Sequence, residues 1–539
     1  MIIAPLLIRI MKKTYLLYLI VILLCTYACK KALTEPEEGK VQGFVESTKG
    51  TLLSRASIDD YITNMIQTKG EFKWADASEN IVWSALNKSD KVLSIGYKPE
   101  VWTVDDVGAK MHTINLQSKE WLDAKQQILQ LVLEEERKSR PNLKIVDLEV
   151  WPEKYLPVIY VSAQCLSTIE TLRASKLVRY VEPIGYCDST PVRAAKNQGN
   201  SLKSVDWLFN FGCNGAPAYA GQLLQDTDYS LVSPLSKASW NYDYHHIQAG
   251  WRVSSGRGIK VMIIDTGSSE RQENLGANFN QGESYGRSIE HLVTLPSYSP
   301  SGAKEMPDDI CGHGTRMAGI LAAPRGADGS ACGIAYNCDL VTVRAAESVL
   351  LNQSREVKGV ADAFNLAAHR DDIKIISMSM GYISHISTIA DAVRNAANRG
   401  KLIFCAAGTS STWTSWLPVV FPANMPEVNA VTGIKDNLKE RCTTCHEGPE
   451  VDFVVVMQKG DSGLGALTLA SNGFMPATVG GSSAATASMA GMAALVWSKN
   501  PEKSAADILT TLRHYSTNPT NNINWGFGLL DVGAALGVN

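Results

Sequence analysis

The chain has 539 residues, of which 45% are hydrophobic and 19% are charged, and its formal net charge is −3. This length is too great for one ordinary hydrophobic core, so two or three domains are expected. A slightly acidic balance excludes a general electrostatic attraction to nucleic acid, and we expect no nucleic-acid partner.

The N-terminus has the order of an export signal. Lys12 and Lys13 precede the apolar run TYLLYLIVILL, and small residues lead to Cys29. A basic start, a short apolar run and small residues are typical of a secretory signal, which we assign to residues 1–29. Thr26–Cys29 resembles a bacterial lipoprotein box, although Tyr27 is unusual there. We therefore expect lipidation of Cys29 and a membrane anchor; an ordinary cleaved signal and an uncleaved anchor are the alternatives.

Residues 30–90 are predicted to be a polar tether followed by a helix over SIDDYITNMIQT. Residues 91–187 then alternate regularly. VLSIGYK, LKIVDLEVW, LPVIYVSA and LVRYVEP are predicted strands, and KEWLDAKQQILQLVLEEERK and TIETLRAS are predicted helices. This β-α-β-β-α-β order predicts a small α+β domain of ferredoxin-like type. Residues 188–235 lack periodicity and are interpreted as a linker that contains a maturation site.

Residues 236–539 have a different pattern. Continuous apolar strands (IKVMIID, LVTVR, IKIISMSM, KLIFCAA, VNAVTG) alternate with helical segments (HGTRMAGILAA, VKGVADAFNLAAHR, SHISTIADAVRNAANRG, EKSAADILTTLRHY). Such alternation predicts a three-layer α/β domain with a mainly parallel sheet covered on both faces. Functional residues of these sheets collect at the carboxyl ends of the strands.

Three segments carry catalytic candidates. Asp265 ends a strand, His313 stands between two glycines at the start of a helix, and Ser483 follows Gly480-Gly481-Ser482 at the start of another. Each alone also fits a structural role, as a helix cap, a turn or a packed histidine. Together they have the order Asp, His, Ser, in which a carboxylate orients an imidazole that takes the proton of a hydroxyl.

IKVMIIDTG, CGHGTRMAGILAA, IISMSMGY, CAAGTSS, FPANMPEV and GGSSAATASMAG resemble, in order, the signature blocks of the subtilisin-like serine proteases, the subtilases. The resemblance implies that Asp265 orients His313, that His313 is the general base and acid, and that Ser483 is the nucleophile. It also implies that residues 91–187 are an inhibitory propeptide. Two segments would bind an extended peptide substrate as an added strand, Ser379-Met380-Gly381 and Ala406-Ala407-Gly408.

The chain departs from the family at the position of the usual oxyanion Asn, which is Thr409. Losing that donor costs about a hundred- to thousandfold in rate, a magnitude known from subtilisin itself. Smaller departures are Ser482 for Thr and Arg316 for His. We expect an exported serine endopeptidase that acts through an acyl-enzyme and is made as an autoinhibited precursor. The alternative is a weak or inactive pseudoprotease that binds peptides; transpeptidation uses the same intermediate, but no residue favours it.

The chain has eleven cysteines, and nine remain after Cys25 and Cys29 are set aside. Proximity favours the pairs Cys332–Cys338 and Cys442–Cys445. CTTCH at 442–446 matches the haem-attachment pattern, but we favour a disulfide or free thiols there. Cys311, two residues before His313, is interpreted as a packed thiol, with sensitivity to thiol reagents as the alternative. We expect no cofactor; structural calcium is frequent in subtilases, but no carboxylate cluster indicates a site.

Overall fold

The computed structural model describes residues 49–187, 212–298, 304–409, 418–460 and 462–538. Gly50–Asn539 form one compact unit. The predicted signal segment, its Cys29 and the first half of the predicted linker, residues 188–211, lie outside the described residues. Across the described ranges, no helix combines the length and apolar character that a membrane crossing needs.

The described residues contain twelve helices and seventeen strands. The helices are α1 Arg55–Lys69, α2 Glu79–Asn87, α3 Val104–Lys110, α4 Lys119–Arg137, α5 Leu166–Ala174, α6 Ile247–Gly250, α7 His313–Ala322, α8 Ser354–Ala368, α9 Ser387–Asn398, α10 Gly481–Lys499, α11 Ala505–His514 and α12 Val532–Ala535. The strands are β1 Val92–Tyr97, β2 Glu149–Trp151, β3 Val158–Ser162, β4 Val178–Pro183, β5 Tyr229–Val232, β6 Ser236–Ser239, β7 Lys260–Asp265, β8 Ile289–Val293, β9 Asp339–Arg344, β10 Ile373–Met378, β11 Leu402–Ala406, β12 Asn429–Lys435, β13 Val451–Gln458, β14 Ala466–Thr468, β15 Ala477–Val479, β16 Ser516–Thr517 and β17 Leu529–Leu530.

The N-terminal part contains an antiparallel sheet with strand order β2-β3-β1-β4. Its elements run strand, helices, two strands, helix, strand, as the periodicity predicts. The second predicted strand is shorter than expected, because Ile145–Asp147 form a 3₁₀ turn in which the Asp147 carboxylate accepts the N–H of Lys144. The identification of this part as a ferredoxin-like prodomain stays a prediction.

The C-terminal part is built on a seven-stranded sheet with order β13-β12-β11-β10-β7-β9-β8, in which every pairing is parallel. This confirms the predicted α/β class. Alternate residues of β7 enter two cores: Met262 and Ile264 pack with α8 and α9, whereas Val261 and Ile263 pack with α7, α10 and α11. The sheet is therefore covered by helices on both faces. The edge formed by the carboxyl ends of its strands is where a functional site is expected.

The N-terminal sheet packs on α9 through buried polar contacts. Arg179 forms a bidentate ion pair with Asp391, with nitrogen–oxygen distances of 2.6 and 3.2 Å. The carboxylate of Glu182 accepts the N–H and the hydroxyl of Ser387, the first residue of α9, at 2.9 and 2.6 Å. Glu182 thus lies where the helix dipole favours a negative charge. These contacts attach the N-terminal sheet to α9 of the C-terminal part.

Candidate active site

Asp265 and His313 are joined by a short hydrogen bond. Asp265 is the last residue of β7 and is fully buried, and its Oδ1 lies 2.7 Å from Nδ1 of His313. The same oxygen accepts the backbone N–H of Thr266 at 2.8 Å. With Nδ1 donating to the carboxylate, Nε2 of the imidazole is the acceptor, which is the tautomer that a general base requires.

The glycines around His313 are required by close backbone approach. A Cβ atom on Gly314 would lie 2.1 Å from the carbonyl oxygen of Gly267, which follows the β7 strand end. Gly312 has φ +79°, and a Cβ there would lie 2.3 Å from the backbone nitrogen of Ala216. Only glycine fits either position, so the two residues let α7 begin against the strand that carries Asp265.

Asp309 is a site residue that the sequence analysis missed. Its Oδ1 accepts the N–H of Gly312 at 2.7 Å and the hydroxyl of Thr266 at 2.8 Å. Its Oδ2 accepts the N–H and the hydroxyl of Thr315 at 2.8 and 2.7 Å. Burial raises the pKa of this carboxyl above its usual value, although these hydrogen bonds act to lower it. Asp309 therefore ties the start of α7 to the end of β7. Its position four residues before His313 is the signal that could have indicated it.

Ser483 lies in the first turn of α10 and is partly exposed. Its Oγ donates to the carbonyl oxygen of Ser379 at 3.3 Å, and the hydroxyl of Ser379 donates to the carbonyl of Ser483 at 3.0 Å. Ser379 follows Met378, which pairs with Ile264 beside Asp265. The three candidate residues therefore gather at the carboxyl edge of the sheet. Among the described residues, no hydrogen bond joins Ser483 to His313 in this conformation.

The hydroxyl of Thr409 is held by Ser482. It accepts the backbone N–H of Ser482 at 3.0 Å, and the two hydroxyl oxygens lie 2.8 Å apart. Ser482 Oγ also accepts the N–H of Gly408 at 3.2 Å. A Cβ on Gly481, which has φ +84°, would lie 2.8 Å from Thr409 Oγ1, so this contact needs glycine. Thr409 thus lies next to the nucleophile candidate Ser483. Its hydroxyl, however, is hydrogen-bonded to Ser482, in the turn that carries Ser483.

Both predicted substrate-binding segments line one cavity of about 70 Å³ with Ser483, and Val349 and Leu350 close it. The backbone of Gly381 is already paired: its N–H donates to Val349 at 3.1 Å and its carbonyl accepts from Leu351 at 3.2 Å. The carbonyl of Gly408 similarly accepts the N–H of His446 at 2.9 Å. The backbone groups of Gly381 are therefore already used by residues 349–351.

The cysteine pairing differs in part from the expectation. The predicted Cys442–Cys445 disulfide is present. The predicted Cys332–Cys338 pair was wrong, since both are free, buried thiols whose pKa burial raises to about 12. Cys311 is not a thiol either, because it is bonded to Cys213, 98 residues earlier.

Within the CTTCH segment, Cys442, Cys445 and His446 are buried, whereas Thr443 is exposed. Its two sulfurs are bonded to each other, so they are not thiols that could attach haem. Thr409 forms a β-bridge with Cys445, and Nδ1 of His446 lies 3.1 Å from the carbonyl oxygen of Pro418. Burial lowers the pKa of His446 to about 4, so the ring is neutral at pH 7. The turn at 442–446 therefore packs against Gly408 and Thr409.

Metal binding is not indicated in the described part of the chain. No group of three His, Cys, Asp or Glu side chains there is arranged to hold a metal ion.

Comparison with known proteins agrees with the geometry at the sheet edge. Residues 256–528 match the model of the subtilase family of peptidases, which is half of the chain. The chain belongs to the subtilase family. Alkaline elastase YaB from Bacillus sp. (strain YaB) is 32% identical over 288 residues, which are 53% of this chain and 66% of the elastase. Subtilisin DY from Bacillus licheniformis is 31% identical over 284 residues, 52% of this chain and 91% of that subtilisin.

Among solved structures, the subtilase chain is similar to MycP1 with its N-terminal propeptide removed. The sequence identity is 23%, the match covers 55% of this chain and 97% of that one, and the TM-score is 0.43. Residues 1–255 lie outside the family match. The matched range, residues 256–528, contains Asp265, His313 and Ser483.

Proposed function

We propose that this subtilase is an exported serine endopeptidase that hydrolyses peptide bonds through Asp265, His313 and Ser483. The observation that carries the proposal is the 2.7 Å hydrogen bond between buried Asp265 and His313, at the edge where Ser483 also lies. A buried carboxylate stabilises the imidazolium that forms when Nε2 takes a proton.

In the first step, His313 Nε2 takes the proton of the Ser483 hydroxyl while Oγ attacks the substrate carbonyl. The tetrahedral intermediate collapses to an acyl-enzyme, and His313 gives its proton to the leaving amine. Water then attacks the ester with His313 again as base, which releases the acid product and restores Ser483. For this to begin, the Ser483 hydroxyl has to exchange its bond with Ser379 for one with Nε2.

The oxyanion would be stabilised by the N–H groups at the start of α10 and by the Thr409–Ser482 hydroxyl pair. The two hydroxyls carry two protons, and their mutual hydrogen bond uses one of them. One O–H proton of the pair therefore remains available to a substrate oxygen. This single shared donor is weaker than a dedicated amide, and we expect slow turnover.

The N-terminal part, residues 91–187, would act as an intramolecular inhibitor until the chain is cut within 188–235. Two contacts support this proposal: the Arg179–Asp391 ion pair and the proximity of its C-terminal end to the cleft. Tyr186 and Cys187 line a cavity with Leu350 and Tyr382, directly beside Gly381. Export through residues 1–29 and lipid anchoring at Cys29 belong to the same proposal and rest on the sequence pattern.

The test is covalent labelling of the purified chain with a fluorophosphonate probe, with intact mass recorded before and after incubation. Wild type is expected to be labelled and to lose the mass of its N-terminal part, whereas Ser483→Ala does neither. Ser488→Ala is the matched control, because Ser488 is a buried serine of the same helix and should not affect labelling. A folded wild type that is never labelled would instead favour the peptide-binding pseudoprotease.

A further inference from the structure

A second, larger cavity lies beside the segment that leads into His313, since Ile310 and Cys311 line it. Its volume is about 370 Å³, and its lining includes the Cys213–Cys311 disulfide, Arg344, Ser348 and Asn352. It is adjacent to the catalytic candidates, because Arg344 pairs with Asp265 across β7 and β9. The cavity is therefore close enough to receive part of a peptide bound at Ser483.

Arg344 is a charged group of this lining that forms no ion pair among the described residues. It is 6% exposed, and its NH1 donates to the carbonyl of Asp308 at 2.6 Å. Its Nε is buried without a partner, and no carboxylate within the described ranges forms an ion pair with it. A buried guanidinium of this kind is costly unless an anion completes it.

The two acidic residues of the lining are already satisfied. Glu347 lies 2.5 Å from Arg355. Glu356 accepts the N–H groups of Glu347, Asn352 and Gln353 at 2.9 to 3.1 Å. Neither is left to neutralise Arg344. By contrast, the Ser348 hydroxyl and the Asn352 carbonyl oxygen are buried without partners, so the cavity also has unused hydrogen-bonding groups.

The segment Ser348–Leu350 separates the two cavities. Ser348 lines the Arg344 cavity, whereas Val349 and Leu350 line the Ser483 cavity. Successive side chains of an extended peptide point to opposite sides. When the side chain before the scissile bond enters the Ser483 cavity, the preceding side chain therefore points towards the other one.

We infer that the Arg344 cavity binds an acidic side chain, Asp or Glu, of the residue one position before the one in the Ser483 cavity. This rests on the proposed peptide binding at Ser483. The carboxylate accepts hydrogen bonds from the Arg344 guanidinium and the Ser348 hydroxyl, and arginine suits carboxylates geometrically. A Lys or Arg side chain would bring a second cation next to Arg344, which repulsion between like charges disfavours.

The test measures binding rather than turnover. Ser483→Ala, cut within 188–235 at an inserted site for a sequence-specific protease so that the N-terminal part no longer inhibits, is titrated with fluorescein-labelled tetrapeptides that differ only in Glu, Gln or Lys at the residue before the last, and Kd is read by fluorescence anisotropy. The Glu peptide is expected to bind at least tenfold more tightly than the Gln peptide, since a hydrogen bond to a charged group contributes about 1.5–3 kcal/mol. The Lys peptide is expected to bind most weakly.

Arg344→Gln in the same background should bring the Glu-to-Gln ratio of Kd to about one. Ser348→Asp keeps Arg344 and supplies an internal carboxylate, so it should remove the preference even if Arg344→Gln fails to fold. Arg513→Gln is the matched control, because Arg513 pairs with Asp452 at 3.3 Å and does not line the cavity.

A Gln peptide that binds as well as the Glu peptide, a preference that survives both variants, or no binding of any peptide would each overturn the inference. The proposed hydrolysis is assessed separately by probe labelling of wild type. If wild type is not labelled but Ser483→Ala prefers Glu through Arg344, the inference holds for a binding protein and the proposed catalysis fails.

Discussion

The ion pair between Arg179 of β4 and Asp391 of α9 joins the N-terminal part to the parallel-sheet part. The two side chains are 3% and 2% exposed, and Tyr180 donates its hydroxyl to the same carboxylate at 3.0 Å. Replacing Arg179 by Met leaves a buried carboxylate whose remaining cation, Arg394, lies 3.9 Å away. Removing one partner of a buried pair costs about 3–5 kcal/mol, and we expect this loss in the free energy of unfolding.

The assay is urea unfolding of full-length Ser483→Ala, which prevents self-cleavage, followed by far-ultraviolet circular dichroism. Adding Asp391→Leu to Arg179→Met removes the unpaired charge, so the double variant should be about 3 kcal/mol more stable than the sum of the single losses implies. Lys119→Met is the control, because its pair with Asp123 is exposed to solvent and should leave the free energy of unfolding nearly unchanged. Additive single losses, or a loss below about 1 kcal/mol for Arg179→Met, would refute the reasoning.

Three further predictions concern the interface, the oxyanion side and the disulfides. Burial raises the pKa of Glu182 to about 7, so the folded chain binds the carboxyl proton more tightly than the unfolded chain does. The protonated Glu182 should therefore contribute its full stabilisation below about pH 4.5. This contribution should be lost as the pH rises through 7. Urea unfolding across this range checks it. Thr409→Asn should raise the rate of fluorophosphonate labelling at least tenfold, because a side-chain amide donor is worth about 10²- to 10³-fold. Replacing Cys213 and Cys311 by Ser should lower the free energy of unfolding by about 4–5 kcal/mol, since the bond closes a loop over 98 residues.

Each of these has a matched control. Glu182→Gln should flatten the pH dependence, and an unchanged slope would show that another group titrates. Thr409→Ser keeps the hydroxyl and should leave labelling unchanged, whereas an Asn variant no faster than wild type would contradict the oxyanion argument. Replacing Cys442 and Cys445, only 3 positions apart, should cost less than about 2 kcal/mol. An equal loss from both disulfides would contradict the loop-length argument.

Local sequence patterns were enough to predict most helices and strands of this protein. They also predicted where the strand before Asp265 ends and where the helices at His313 and Ser483 begin. The apolar run before Asp265 and the small residues after Ser483 each express a requirement met within one strand or helix. The close approach of Gly314 to Gly267, in contrast, joins residues that are distant in sequence, although the glycines themselves are visible as a pattern. The parallel α/β class follows from the same alternation and is confirmed by the seven-stranded sheet.

The partners of individual side chains were decided only by the tertiary structure. Cys311 bonds Cys213 rather than remaining a thiol, Asp391 pairs with Arg179 from 212 positions away, and the Thr409 hydroxyl is held by Ser482. Periodicity reports which face of an element is buried, but it carries no information on which distant group meets that face. Burial then sets the consequences, because an unpaired polar group inside the protein is costly and each of these contacts satisfies one.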